Sequence, residues 1–188
     1  TPQFVIFKNR SLAIDWIIYH VSTGTSGYFN FDAAAVRTLA NLFTGISSTT
    51  IPVNGGYASV NGNGSTYVAY CFAPVESYSA FGSYTGNGST DGPFVYTGFR
   101  PRWVMVKASS STGSWYIYDS KRDTYNVATS ALFPNSNSNE LSIPAMDLLS
   151  NGLKLKYEAT YGANYNGSGV TYVYAAFSEV AFNFARAR

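Results

Sequence analysis

The chain has little of what most enzymes use for chemistry. Among its 188 residues there are one cysteine, one histidine and two methionines, and only 12% are charged, about half the usual share of roughly 25%. A single cysteine excludes an intrachain disulfide, so packing must hold the fold. No apolar run approaches the roughly 20 residues a membrane-spanning helix requires, and no membrane insertion is expected. Lys and Arg number 12 against 10 Asp and Glu, and the basic residues are scattered from Lys8 to Arg188. Phosphate binding would need them clustered in a stripe, so nucleic acid is not an expected partner. Cys71 sits in the apolar run from Tyr67 to Ala73 and reads as a small buried hydrophobe. A catalytic thiol would need a base, and His20 is the only histidine.

What the chain has in excess is aromatic rings, 17% of its residues, with sixteen Tyr and thirteen Phe. In β-rich proteins such rings serve cross-strand packing. Tyr set among Ser, Gly and Asn is also the composition of recognition surfaces, because the ring offers large contact area for few rotors lost.

The sequence repeats itself. Pro2-Gln3-Phe4-Val5-Ile6-Phe7-Lys8 aligns with Pro101-Arg102-Trp103-Val104-Met105-Val106-Lys107, and Trp16 with Trp115, at an offset of 99. Asn61-Gly62-Asn63-Gly64 with Tyr67 and Val68 aligns with Asn166-Gly167-Ser168-Gly169 with Tyr172 and Val173, at an offset of 105. Lys, Trp, Tyr and a glycine-punctuated turn recur in the same order, which defines a tandem duplication.

Each block reads as strand. Residues 4–8 and 103–107 are apolar on both faces, as strands inside a sheet are. Segments 15–20 and 114–119 follow after polar turns and complete hairpins. Lys8 and Lys107 are expected where these strands leave the core, and segments 66–73 and 170–178 as further central strands. The paired Trp16 and Trp115 are expected to share a core role, and His20 to sit at the surface at a strand end. Asp32 followed by Ala33-Ala34-Ala35-Val36, Leu39, Leu42 and Phe43 has a capping residue and helical spacing. The corresponding 135–149 carries Pro144 and no such pattern, so a short helix and an irregular loop both stay open.

The pattern predicts an all-β, tandem-duplicated antiparallel β-sandwich, with a first module over 1–80 and a second over 81–188. Residues 81–100 lead into the second copy, and the first copy has no equivalent. The chain opens on Thr1-Pro2 and enters a strand directly, so the expectation is either missing upstream sequence or an edge filled by a neighbour's strand, tested at residues 3–8.

The blocks Phe81-Gly82-Ser83-Tyr84-Thr85-Gly86-Asn87-Gly88, Gly92 to Lys107, Trp115 to Arg122, Leu149 to Leu155 and Tyr172 to Glu179 resemble an uncharacterised repeat domain family of tailed bacteriophages. A weaker copy covers 1–80. The resemblance implies a virion structural protein, the C-terminal part of a tail fibre or a tail-associated or head-decorating protein, located in the extracellular particle. Its fold would be a lectin-like jelly roll or concanavalin-like sandwich, and its partners other virion proteins and further copies of itself. The ending Phe182 to Arg188 resembles that family's natural C-terminus.

No catalytic set is legible. The ten acids form no alternating strand pair of the kind a jelly-roll glycosidase places across a cleft, and no nucleophile elbow accompanies His20. The Asn-Gly turns at 61–64 and 87–92 have too few carboxylates for calcium and read as tight turns. The expectation is therefore no enzyme, no cofactor and no metal. The residues best suited to hold a host surface glycan or a protein partner are Tyr161, Asn164, Tyr165 and Asn166 in the loop 157–169, and Tyr57 and Asn61 in the first copy. Loop variation on a repeated scaffold is where specificity would sit.

Overall fold

The structure, a computed structural model, describes residues 1–25, 27–31, 42–179 and the main chain of 36–38. The chain divides into two compact units, Thr1–Ala73 and Pro74–Arg188. The fold is all-β, with three antiparallel sheets, two one-turn α-helices and one 3-10 turn among the described residues.

Unit one is built on a five-stranded sheet. Its strands are β1 (Phe4–Asn9), β2 (Ile17–His20), β3 (Gly27–Asn30), β4 (Val36–Thr38) and β5 (Tyr67–Phe72), in the order β4-β3-β2-β1-β5. Val5 and Phe7 of β1 and Ile17 and Tyr19 of β2 share one face and pack with Tyr28, Leu42, Phe43 and Val60. Alternation along the pleat puts these residues together, and the connecting segment covers them in place of a second sheet. Its last turn is the helix α1 (Ala58–Asn61).

Unit two is a sandwich. One sheet holds β6 (Ser79–Thr85), β8 (Pro101–Ala108), β9 (Trp115–Asp119) and β13 (Thr171–Ser178), in the order β6-β13-β8-β9. The other holds β7 (Phe94–Tyr96), β10 (Ala128–Ala131), β11 (Leu141–Leu149) and β12 (Gly152–Leu155), in the order β10-β11-β12-β7. Between them lie Val104, Val106, Tyr118, Tyr172 and Tyr174 from the first sheet and Val95, Ile143, Leu148, Leu153 and Leu155 from the second. Each such side chain contributes about 1.5–3 kcal/mol when taken fully out of water.

The duplication persists at the level of register. Phe4 pairs with His20 and Phe72, and Trp103, its equivalent, pairs with Asp119 and Phe177. Asn9 pairs with Tyr67 as Ala108 pairs with Tyr172. A second one-turn helix, α2 (Ala163–Asn166), stands where α1 stands in unit one, and neither was expected.

Several expectations are corrected. Residues 32–35 and 39–41 lie outside the described residues, but Val36–Thr38, at the centre of the segment for which short helix and irregular loop stayed open, is strand, and so is Leu141–Leu149 in the other copy. Lys107 does not mark the end of the core, being fully buried. Its equivalent Lys8 is half-buried, donates to the Ile14 carbonyl and sits 5.3 Å from the Trp16 ring centre. Trp115 is core, whereas Trp16 is 36% exposed, because it precedes β2 and so lies outside the pleat. His20 is buried, its Nδ1 accepting from the Ser22 N–H at 3.1 Å. Cys71 is exposed. The strand at residues 4–9 is flanked on both sides, by β2 and β5, and among the described residues the sheet ends on that side at β5.

Candidate functional site

The loop after β12 turns on Glu158, whose carboxylate accepts the Thr160 and Tyr161 N–H groups at 2.7 and 2.8 Å. Those two backbone bonds hold its acid strength above the ordinary carboxylate range, keeping the charge that fixes the turn. The chain then enters α2, which separates the four candidates of this loop. Tyr165 and Asn166 point inward and are 0% exposed, while Tyr161 and Asn164 stay half-buried at the surface.

Tyr161 and Asn164 line a cavity of about 260 Å³ with Ser114, Tyr116, Phe133, Ser136, Ser138 and Leu141. Its floor is aromatic: the Tyr116 ring meets Phe133 edge-on at 5.1 Å and Tyr165 at 6.0 Å. Burial, with the neighbouring Tyr161, pushes the Tyr116 phenol up to about 12, so it stays a neutral hydrogen-bonding group, shared with the Asn164 side chain. Its rim is hydroxyl. Ser136 and Ser138 bond each other at 2.7 Å, and Asn135 ties the wall together by accepting the Trp115 N–H at 2.7 Å and donating to Ser114 Oγ at 3.2 Å. Aromatic faces beside neutral hydroxyl and amide groups suit a small uncharged polyol, and the volume falls just below the roughly 300–1,000 Å³ of drug-sized pockets. None of the lining residues is a carboxylate, a thiol or an imidazole. Among the described residues no cluster of three or more His, Cys, Asp or Glu could hold a metal ion.

The other candidates have structural work. Tyr165 Oη donates to the Pro144 carbonyl at 3.2 Å. Asn166 accepts the Asn87 N–H at 3.0 Å and donates to the Ser89 and Lys156 carbonyls at 2.9 and 3.1 Å, so it ties three segments of unit two together. Both therefore leave the set of surface contacts. Tyr57 bonds Tyr28 through their hydroxyls at 2.9 Å, and Asn61, in Asn166's place, is exposed. The loop at 87–92 uses its own oxygens: Asn87 accepts the Ser89 N–H at 3.0 Å and donates to the Asp91 carbonyl at 3.0 Å. Lys154 bonds the Asp91 side chain and holds its carboxyl below the usual range.

Sequence reasoning found Tyr161 and Asn164 but missed the serines, Tyr116 and Phe133. They come from two separate stretches, 114–116 and 133–138, and only the polar run Asn135-Ser136-Asn137-Ser138-Asn139 gave any local signal.

Fold and cleft together define a class, a duplicated all-β sandwich protein with a neutral, aromatic-floored cleft in its second unit. More particularly, the chain belongs to the family described as Domain of unknown function (DUF7483), which matches residues 1–181 and so runs across both units. No curated protein and no solved structure matches the chain.

Proposed function

We propose that this chain is a non-catalytic structural component of a bacteriophage virion, a capsid-decorating or tail-fibre protein that acts through contacts with other virion proteins and with copies of itself. The observation that carries the assembly reading is the edge of β5. Among the described residues it has strand on one side only, whereas its equivalent β13 has strands on both. Open edges recruit further strands, and a protein whose work is contact can use one. The phage assignment rests on the sequence resemblance. Purified particles of the source phage should contain the chain in stoichiometric amounts by quantitative mass spectrometry, and its absence from them would remove this reading.

A second reading, a receptor-binding or carbohydrate-binding module of a tail fibre, is favoured by the cleft at Tyr161 and Asn164. On a glycan array the chain should then bind a neutral saccharide, and Tyr161→Ala or Asn164→Ala should weaken binding by about 1–3 kcal/mol, roughly the cost of a lost stacking face or an unpaired polar group. Unchanged binding in both variants would move the site elsewhere. Tyr165→Ala is no test, because that ring is in the core.

A further inference from the structure

We propose that the edge of β5 and the Asn61 turn together form a docking groove for an extended segment of another polypeptide, one that runs antiparallel to β5 and carries an aromatic-x-Gly sequence. This rests on the assembly reading above and names the partner's chemistry. The template is inside the molecule. In unit two β6 lies antiparallel on β13, with Tyr84 opposite Tyr172. The two rings stack at 5.1 Å, and Tyr84 Oη donates to the Tyr165 carbonyl at 2.6 Å. Beyond the strand the Gly86 N–H donates to the Val170 carbonyl at 2.8 Å, and the Gly86 carbonyl accepts the Gly169 N–H at 2.9 Å. The next residue closes the attachment, Asn87 N–H to Asn166 Oδ1. Position 86 must be glycine, because a Cβ there would come within 2.3 Å of the Gly167 carbonyl.

Unit one carries the receiving half of this arrangement. Tyr67, Asn61, Gly62, Gly64 and Ala58 stand where unit two has Tyr172, Asn166, Gly167, Gly169 and Ala163. Tyr67 Oη accepts the Gly62 N–H at 2.6 Å and donates to the Ala58 carbonyl at 2.7 Å, and Tyr172 Oη does the same with Gly167 and Ala163 at 2.8 and 2.6 Å. Gly64 and Gly169 share a φ of 74° and 73°. The Arg10 N–H donates to the Thr66 carbonyl. That phase turns the main-chain groups of Tyr67, Ala69 and Cys71 away from β1, towards the open side. Among the described residues no strand lies there. The consequences show in exposure: Tyr70 is 48% exposed and Asn61 and Cys71 are exposed, while Ala175, Asn166 and Ala176 are buried. One bond is already made within unit one, the Gly56 N–H to the Asn61 carbonyl at 3.2 Å. The Gly88 N–H holds that place in unit two, so the incoming segment should end one residue sooner.

The test uses the full chain and a fluorescent peptide with the sequence of residues 78–90. Saturable binding is expected, weakened about tenfold or more, or 1.4 kcal/mol, by Asn61→Ala in the protein and by Gly86→Val in the peptide, with alkylation of Cys71 slowed at saturation. No binding up to about 1 mM peptide would overturn the proposal. So would equal binding to wild type and Asn61→Ala, which would mean exchange with β6, or a stable dimer of the chain that the peptide does not dissociate, which would mean that a second copy covers the edge. The two readings fail separately. Loss of peptide binding leaves particle content untouched, and absence from particles leaves the groove intact.

Discussion

Lys8 and Lys107 stand at equivalent places in the two units and meet different surroundings. Lys8 reaches the Ile14 carbonyl and the Trp16 ring. Lys107 is enclosed, with its ammonium donating to the Ala108 carbonyl at 3.0 Å, and burial lowers its proton affinity to about 8 from an ordinary 10.5. The folded chain therefore releases this proton before the unfolded chain does. Between about pH 8 and pH 10.5 the unfolded state binds more protons, and stability from this group rises with pH. Burial raises the phenols of Tyr84, Tyr118 and Tyr165, which ionise first in the unfolded chain and lower stability above about pH 10. The midpoint of urea unfolding should thus climb between about pH 8 and pH 10 and then fall. Lys107→Met should abolish the climb and keep the fall; a wild-type midpoint flat across that window would show that the amine stays charged in the fold.

At the scale of elements, the turn made by α1 or α2, its glycines and the following tyrosine is the unit that repeats most closely. Its stabilisation depends on how far water is excluded. Around Tyr172 the hydroxyl accepts a buried Gly167 N–H, while the matching bonds of Tyr67 lie nearer solvent. Removing the hydroxyl leaves unpaired groups that only unit one can hydrate. Tyr172→Phe should therefore cost about 2–3 kcal/mol and Tyr67→Phe about 1 kcal/mol, measured by chemical denaturation. Equal costs would mean that the two turns are equally dry. From the sequence this element was visible only as Asn-Gly clusters. A one-turn helix has no periodicity to read, and the tyrosine that caps it lies five residues beyond Gly62 or Gly167 on a strand.

At the scale of the whole molecule, the cluster running from Val5 to Val60 lies in the first unit and the one running from Ala80 to Tyr174 and Ala176 lies in the second. Residues 74–188 expressed alone should accordingly unfold in one cooperative transition with the near-ultraviolet dichroism of packed tyrosines. A gradual melt without that signal would show that the second core needs the first unit.

What the sequence determined by itself was the all-β class, the duplication and the hairpins of each copy, because strand alternation, glycine turns and repeated residues are local or alignable signals. Tyr161 and Asn164 were also within its reach, as polar and aromatic residues on a variable loop. Tertiary structure decided the rest. Whether Asn61 or Asn166, Cys71 or Ala176 is open to water depends on which strand lies alongside. Equivalent residues carry the same local sequence signal in both copies, and the pairing of β6 with β13, without a counterpart on β5 among the described residues, separates a core position from an exposed edge.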